Sequence, residues 1–364
     1  MRVLVLINND EGLYKFRNEL LLELLKNNEV YISTPDGPFV SKMVDEGCVF
    51  VPASIDRRGI NPAKDYKLIR RYKSIIKEVN PDYVITYTIK PNIYGGRVCR
   101  KKGIPYAANI TGLGTAFQKK GLLKSFVSFL YKSSLKKAKV VFFENSGNRD
   151  VFVDEGIVSA DKTCVLNGAG VNTDYYSYQE YPDGEICSFI FIGRIMKEKG
   201  IEELLEATRR LYNDGRKVEL NVLGPFEEDY KSEFEKYQSE GWLKYHGEQY
   251  DIKPYVRQAH CFVLPSWHEG MANTNLECAS MGRPIITSNI PGCKEAVKDG
   301  VSGLLCEKQN SESLYSVMKK FSALGYNDRK AMGTQGRKYM TECFDKKIVV
   351  EKTLAKIRCS INHE

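Results

Sequence analysis

Short continuous apolar runs alternate along this chain with longer stretches whose apolar positions recur at helical spacing. In the first half, runs near 2–7, 29–33, 83–88, 105–109 and 140–143 predict strands. Stretches near 14–27, 65–78, 92–102, 121–137 and 147–155 predict helices. Strands apolar on both faces, each followed by a helix, belong to a parallel sheet covered on both sides. The segment from Val165 to Asn172 closes this half, and the tyrosine-rich link from Tyr175 to Gly184 reads as a hinge. The alternation resumes at Ser188–Ile192 and continues to about Cys306, with helices following near 311–323 and 328–343. The expectation is an α/β protein of two domains, 1–174 and 175–344, each built on a parallel doubly wound sheet, with a final stretch at 345–364.

Composition narrows this picture. A length of 364 residues with 42% hydrophobic positions supplies two α/β cores. No apolar run reaches the roughly 18 residues of a transmembrane span, and Met1–Ile7 reads as a first buried strand rather than a signal peptide. The ten cysteines are scattered without a C-x-x-C pair, which argues against a zinc site or disulfide framework and for a reducing cytoplasm. The four histidines lie apart and no D-x-D motif occurs, so no metal and no cofactor is expected. Charge is uneven. Residues 1–180 carry 27 Lys+Arg against 19 Asp+Glu, whereas residues 181–364 carry 27 of each. Between Arg57 and Lys139, 20 basic residues face only Asp65, Glu78 and Asp82, so the first domain should meet an anionic surface or substrate.

Two loops of the second half carry candidate chemistry. The run Cys261–Leu264 is followed by Pro265-Ser266-Trp267-His268-Glu269-Gly270-Met271-Ala272-Asn273-Thr274-Asn275-Leu276-Glu277, which opens a helix ending at Gly282 before Pro284. Glu269 then lies in a loop at the carboxyl end of a strand and Glu277 in the first turns of a helix. A phosphate there would meet free N–H groups and the positive end of the helix dipole, with the carboxylates accepting from hydroxyls. The alternative is structural, because Ser266-x-x-Glu269 and Thr274-x-x-Glu277 both fit a capping box. The second loop follows Ser188–Ile192 and reads Gly193-Arg194-Ile195-Met196-Lys197-Glu198-Lys199-Gly200. Arg194 and Lys199 suit a diphosphate, Gly193 suits close backbone approach and Gly200 a sharp helix start. The alternative is an ordinary exposed basic loop.

Gly193-Arg194…Lys199-Gly200, Pro265-Ser266…Glu269-Gly270 and Leu276-Glu277 at E-x7-E spacing resemble the retaining nucleotide-sugar glycosyltransferases of family 4. The segment Pro291–Val297, followed by Asp299-Gly300 and Gly303, fits the same family. In the first half, Tyr14-Lys15-Phe16-Arg17 and Gly112-Leu113-Gly114 resemble a subgroup containing N-acetylgalactosaminyltransferases of bacterial N-glycan assembly and capsule or O-antigen transferases. The resemblance implies the GT-B fold, two facing Rossmann-like domains with a cleft between them, and a last helix crossing back to the first domain. It also implies transfer with retention of a hexose or N-acetylhexosamine from a nucleotide-sugar, a UDP-sugar above all. The implied acceptor is a lipid-linked, undecaprenyl-diphosphate saccharide of cell-surface glycan synthesis. Glu269 would bind donor-sugar hydroxyls and Glu277 the ribose, while Arg194, Lys199 and the N–H groups of 270–275 hold the leaving diphosphate. Thus Glu269, Arg194 and Lys199 are the catalytic candidates. Gly193, Gly270, Met271, Ala272, Asn273, Thr274 and Glu277 complete the donor set, with Met271, Ala272 and Asn273 candidates for sugar discrimination.

On the acceptor side, Asn8–Tyr14 and Ile110–Thr115 are strand-to-helix loops that offer Gly12, Tyr14, Thr111 and Gly112. Many relatives carry a histidine in the second of these regions, and this chain has none. The lysine-bordered stretch Phe117–Lys132, continuing to Lys137, reads as a domain helix with Phe126 and Leu130 toward the core and its lysines on an anionic membrane. The expected location is the cytoplasm, peripheral to the inner face of a bacterial plasma membrane. No nucleic-acid motif accompanies the basic charge. A UDP-sugar epimerase, or a polysaccharide- or membrane-binding module without activity, are the competing functions.

Overall fold

The computed structural model describes residues 1–56, 61–117 and 121–362. Arg57, Arg58, Lys119 and Lys120, counted above among the basic residues, lie outside the described residues, as do Gly59, Ile60, Gln118 and the last two residues of the chain. The chain divides into two compact units, Met1–Ala169 with Lys347–Glu364, and Gly170–Lys346. The division at Ala169 falls slightly before the expected 174.

The first unit holds the strands β1 (Arg2–Leu6), β2 (Glu29–Ser33), β3 (Val49–Phe50), β4 (Tyr83–Tyr87), β5 (Tyr106–Ile110), β6 (Val140–Phe143) and β7 (Thr163–Val165). They form one parallel sheet in the order β3-β2-β1-β4-β5-β6-β7. Its helices are α1 (Asp10–Leu25), α2 (Val40–Asp45), α3 (Pro62–Val79), α4 (Gly96–Lys102), α5 (Leu122–Leu135) and α6 (Ser146–Asp154). Alternate residues along each strand serve two cores. Leu4, Leu6, Val84 and Val141 face one cluster, and Val3, Val5, Ile85 and Val140 the other. Helix α5 contributes Val127, Tyr131 and Leu135 to the first cluster, and α1 contributes Leu13, Leu20 and Leu24 to the second. Phe126 of α5, expected toward the core, is exposed. Local signals set the ends. Asn61 caps α3 by accepting from the Lys64 N–H at 3.1 Å, Pro62 occupies the first turn, and Asn80 closes the helix at φ +47°.

The second unit repeats the plan. Strands β8 (Cys187–Ile192), β9 (Val218–Leu223), β10 (Leu243–Tyr245), β11 (Cys261–Leu264), β12 (Ile285–Ser288) and β13 (Gly303–Cys306) pair in parallel, in the order β10-β9-β8-β11-β12-β13. Helices α7 (Ile201–Asn213), α8 (Lys231–Ser239), α9 (Lys253–Gln258), α10 (Asn273–Ser280), α11 (Ser311–Ser322) and α12 (Tyr326–Tyr339) belong with it. The final helix α13 (Lys346–Asn362) packs Val349, Val350 and Ile357 into a core of the first unit.

Two expectations are corrected. Helix α1 begins at Asp10, so Gly12 and Tyr14 lie inside a helix and not in a loop. The tyrosine-rich link is strapped to the second unit rather than standing as a hinge. Tyr181 is buried and its hydroxyl donates to the His260 carbonyl, and Arg283 donates to the carbonyls of Gln179 and Glu180.

Candidate functional site

In each sheet the order reverses beside its first strand. The loops leaving the two central strands part there, at the position where open α/β sheets bind ligands. In the second unit those strands are β8 and β11, and the loops are the two singled out by sequence.

Glycines bring these loops into contact. Gly200 has φ +74°, and a Cβ there would stand 2.2 Å from the Pro265 carbonyl oxygen. The Trp267 N–H donates to the Glu198 carbonyl at 3.0 Å. Gly292, at φ +87°, brings a third loop against the carbonyls of Glu269 and Gly270, each 2.7 Å from a Cβ placed on it. Lys199 and Glu269 meet as a result: Lys199 Nζ donates to Glu269 Oε1 at 2.5 Å. The same oxygen accepts from the buried Ser266 hydroxyl at 2.8 Å. The Ser266–Glu269 pattern is therefore a loop contact, since no helix starts there. The Thr274–Glu277 box is absent too, because α10 begins after Ala272 and Thr274 already lies within it.

Helix α10 points its amino end into this loop cluster. Its first N–H groups, those of Asn273 and Thr274, have no partner within the helix, and Asn273 Oδ1 is buried without a partner among the described residues. Ala272 does not share this role, because its N–H donates to the Gly292 carbonyl at 2.7 Å. The Asn275 N–H likewise donates to the Ala272 carbonyl. Met271 and Ala272 are buried in the hydrophobic core. Glu277 is half-buried and accepts from the Tyr176 hydroxyl; burial first, then the Glu277 carboxylate, raises the phenol's pKa. Sequence reasoning missed Tyr176 because no local pattern ties it to Glu277. The nearby Cys293 thiol is fully buried, and burial followed by the Glu269 carboxylate holds it protonated.

Arg194 is exposed and lies 3.6 Å from Glu227, in a loose ion pair. The Gly193 N–H is used by the sheet, donating to the Leu223 carbonyl, and its carbonyl packs against Gly224. The close approach thus needs glycine at 224, with φ +136°.

In the first unit the corresponding strands are β1 and β4. Thr88 follows β4 at φ +69°, a backbone that β-branched residues rarely adopt. The loop bearing Thr111 and Gly112 packs beside it, where a Cβ on Gly114 would lie 2.7 Å from Ile89. The Tyr14 ring packs against Phe39 at a tilt of 31°, with Lys42 over its face. Helix α1 contributes Arg17, which forms a buried ion pair with Glu144 and lies over the Tyr87 ring. Burial raises the Glu144 pKa and the Arg17 guanidinium opposes the rise. Lys90 pairs with the buried Asp65 at 2.9 Å. Among the described residues, no cluster of His, Cys, Asp and Glu could hold a metal ion, and no helix is long and apolar enough to cross a membrane.

Residues 183–339 match the family described as glycosyl transferases group 1, and residues 2–145 match the glycosyl transferase 4-like family. A Campylobacter jejuni N,N'-diacetylbacillosaminyl-diphospho-undecaprenol α-1,3-N-acetylgalactosaminyltransferase is 26% identical, covering 86% of this chain and 87% of its own. An Escherichia coli UDP-Gal:α-D-GlcNAc-diphosphoundecaprenol α-1,3-galactosyltransferase is 27% identical, covering 81% of each. Among solved structures, a Rickettsia africae glycosyltransferase superposes with TM-score 0.82 at 19% identity, covering 100% of this chain and 99% of that one. Anabaena HepE in complex with UDP and glucose superposes with TM-score 0.81 at 14% identity, covering 98% and 99%. The fold is GT-B. The chain belongs to the glycosyl transferases, a 4-like domain followed by a group 1 domain.

Proposed function

We propose that this glycosyl transferase moves a hexose or N-acetylhexosamine, with retention, from a UDP-sugar to a hydroxyl of an undecaprenyl-diphosphate-linked saccharide in cell-surface glycan synthesis. The observation that carries the donor half is the Lys199–Glu269 pair beside the amino end of α10. The acceptor half rests on the two relatives whose names specify diphosphoundecaprenol-linked saccharides. In the reaction the bond from the sugar C1 to the diphosphate oxygen breaks and a bond from C1 to the acceptor oxygen forms on the same face. The acceptor proton passes to the departing phosphate oxygen. Lys199, the N–H groups at the start of α10, and Arg194 swung from Glu227 stabilise the charge growing on that diphosphate. Glu269 accepts from donor-sugar hydroxyls and Glu277, held by Tyr176, from the ribose. Neither a metal nor a cofactor is needed in this scheme. Because the acceptor is membrane-held, the protein works at the cytoplasmic face of the membrane, with the basic first unit toward anionic lipid.

The test is turnover of a panel of UDP- and GDP-sugars, with and without an undecaprenyl-diphospho-sugar mimic, followed by released nucleotide and product mass. Acceptor-dependent release from a UDP-sugar is expected. Arg194→Ala and Glu269→Gln, both folded, should each lower kcat/KM about 100-fold or more. Near-normal turnover in both would sink the assignment, and isomerisation of the donor without acceptor would replace it with an epimerase.

A further inference from the structure

The loop that carries Glu269 runs from Pro265 to Ala272, between β11 and α10, without regular structure of its own. Such a loop depends on side-chain contacts to keep a fixed place against its neighbours. Lys199 lies on a different loop, which leads into α7. The residues that flank Lys199 converge on one position, Trp267, shortly before Glu269. The Glu198 carbonyl accepts the Trp267 backbone N–H at 3.0 Å. The Glu203 carboxylate, in the first turn of α7, accepts the indole N–H at 2.9 Å. The Lys197 ammonium stands 5.9 Å from the centre of the indole and is itself paired with Glu202 at 3.0 Å.

Glu203 is a costly acceptor. It is 8% exposed, and its second carboxylate oxygen is buried without a partner among the described residues. An acid in the first turn of a helix is ordinarily explained by the helix dipole, but Glu202, exposed on the same turn, already serves that purpose. Taking a carboxylate out of water with one oxygen unpaired lowers stability, and the contact made in return is the indole N–H. On the other side of Trp267, the buried Ser266 donates its hydroxyl to Glu269 Oε1 at 2.8 Å. A shift of Trp267 therefore carries Ser266 and Glu269 with it.

We propose that Trp267 is a positioning residue for sugar transfer, and that its indole N–H, seated on Glu203, fixes the Glu269 loop against the Lys199 loop. Neither Trp267 nor Glu203 needs to touch the donor. Together they set the place of the Glu269 carboxylate relative to Lys199, and so the hold on the sugar relative to the hold on the diphosphate. This inference rests on the donor roles of Glu269 and Lys199 proposed above. A misplacement of about 1 Å at a reacting centre costs on the order of 100-fold in rate, so loss of the anchor belongs in turnover and not in nucleotide binding.

The experiment measures kcat and donor KM of the full chain with the UDP-sugar turned over in the panel above, beside the Kd of UDP alone by calorimetry. Trp267→Phe keeps an aromatic ring facing Lys197 and removes the N–H. It should lower kcat about 10-fold and leave UDP affinity and circular dichroism as in the wild type. Glu203→Leu should do the same. Glu203→Gln, which keeps an oxygen for the indole, should recover most of that loss. The double variant Trp267→Phe/Glu203→Leu should be no slower than either single one. Wild-type kcat in Trp267→Phe, or losses that multiply in the double variant, would overturn the proposal. Weakened UDP binding in step with kcat would overturn it too, because the whole unit would then have loosened. Should Trp267→Phe fail to fold, the two Glu203 variants decide: faster turnover by Glu203→Gln supports the proposal and equal turnover overturns it. Glu269→Gln, run in parallel, separates this inference from the reading beneath it. Normal turnover there would strike the donor role of Glu269 itself, whereas slow Glu269→Gln beside normal Trp267→Phe would strike the positioning alone.

Discussion

Two residues carry strain or burial that their surroundings must compensate. Thr88 is held at φ +69° directly after β4, with its hydroxyl turned onto the Tyr87 carbonyl. Strain of this kind costs about 1–3 kcal/mol, and glycine removes it at a smaller cost in unfolded-state entropy. Thr88→Gly should therefore raise stability by about 1 kcal/mol in denaturant titration; a loss of stability would show that the hydroxyl contact outweighs the strain. His260 is buried at the strap, with Nδ1 accepting the Ser188 N–H at 3.1 Å. Burial, then the nearby Arg329 and Arg283, lowers its pKa to about 4. The unfolded chain takes up this proton near pH 6.5 and the folded one does not. The stabilisation is thus present above pH 6.5 and lost as pH falls toward about 4. Its ceiling is about 3 kcal/mol. His260→Asn keeps an acceptor but cannot titrate, so its stability should fall less steeply than the wild type's between those limits. Parallel curves would refute the role of His260.

At the scale of elements, the legible parts were those whose physics is local. Continuous apolar runs such as Cys187–Ile192 and Cys261–Leu264 are strands because they are buried on both faces, and their composition says so. The motif loops were legible because cations, carboxylates and glycines cluster beside strand ends. The two-residue β3 and the edge strand β7 have too little apolar sequence to stand out. The start of α1 was masked by Gly12 in its first turns, although Asn9 with Asp10 and Glu11 behind it carries the residue types of a helix start. What the glycines of the second unit do was legible only in part. Gly200 was read as a sharp turn, whereas its larger task is contact with Pro265. That contact can be isolated. Gly215 has φ +76° and nothing within 4 Å of a Cβ, while Gly200 has φ +74° and the Pro265 oxygen at 2.2 Å. Gly215→Ala should cost about 1 kcal/mol from conformation alone. Gly200→Ala should cost more and also weaken UDP binding, because the Lys199 loop must retreat from Glu269. Equal effects of the two substitutions on binding would remove the contact from the account.

For the molecule as a whole, the chain leaves its first unit near Ala169 and returns to it after Lys346. Sequence pattern alone did not show this return, because α13 is a helix of modest amphipathicity whose destination depends on tertiary packing; only the family resemblance raised it. The helix brings Val349, Val350 and Ile357 into the core beneath β1 and β4, its Ser360 hydroxyl meets the Tyr83 hydroxyl at 3.0 Å, and Lys352 donates to the Val165 carbonyl at 2.8 Å. Burying three such apolar side chains is worth roughly 5 kcal/mol, a large share of the roughly 5–15 kcal/mol that stabilises a domain. Removing residues 347–364 should therefore loosen the first unit although it cuts at the far end of the sequence. The two tryptophans allow the units to be followed separately, since Trp242 and Trp267 both belong to the second. In urea, the truncated chain should lose far-UV circular dichroism in two steps, the earlier one without a change in tryptophan emission. UDP binding should persist through the first step, because Lys199, Glu269 and α10 all lie in the second unit. A single transition shared by both signals at the wild-type midpoint would mean that α13 contributes little to the core it enters.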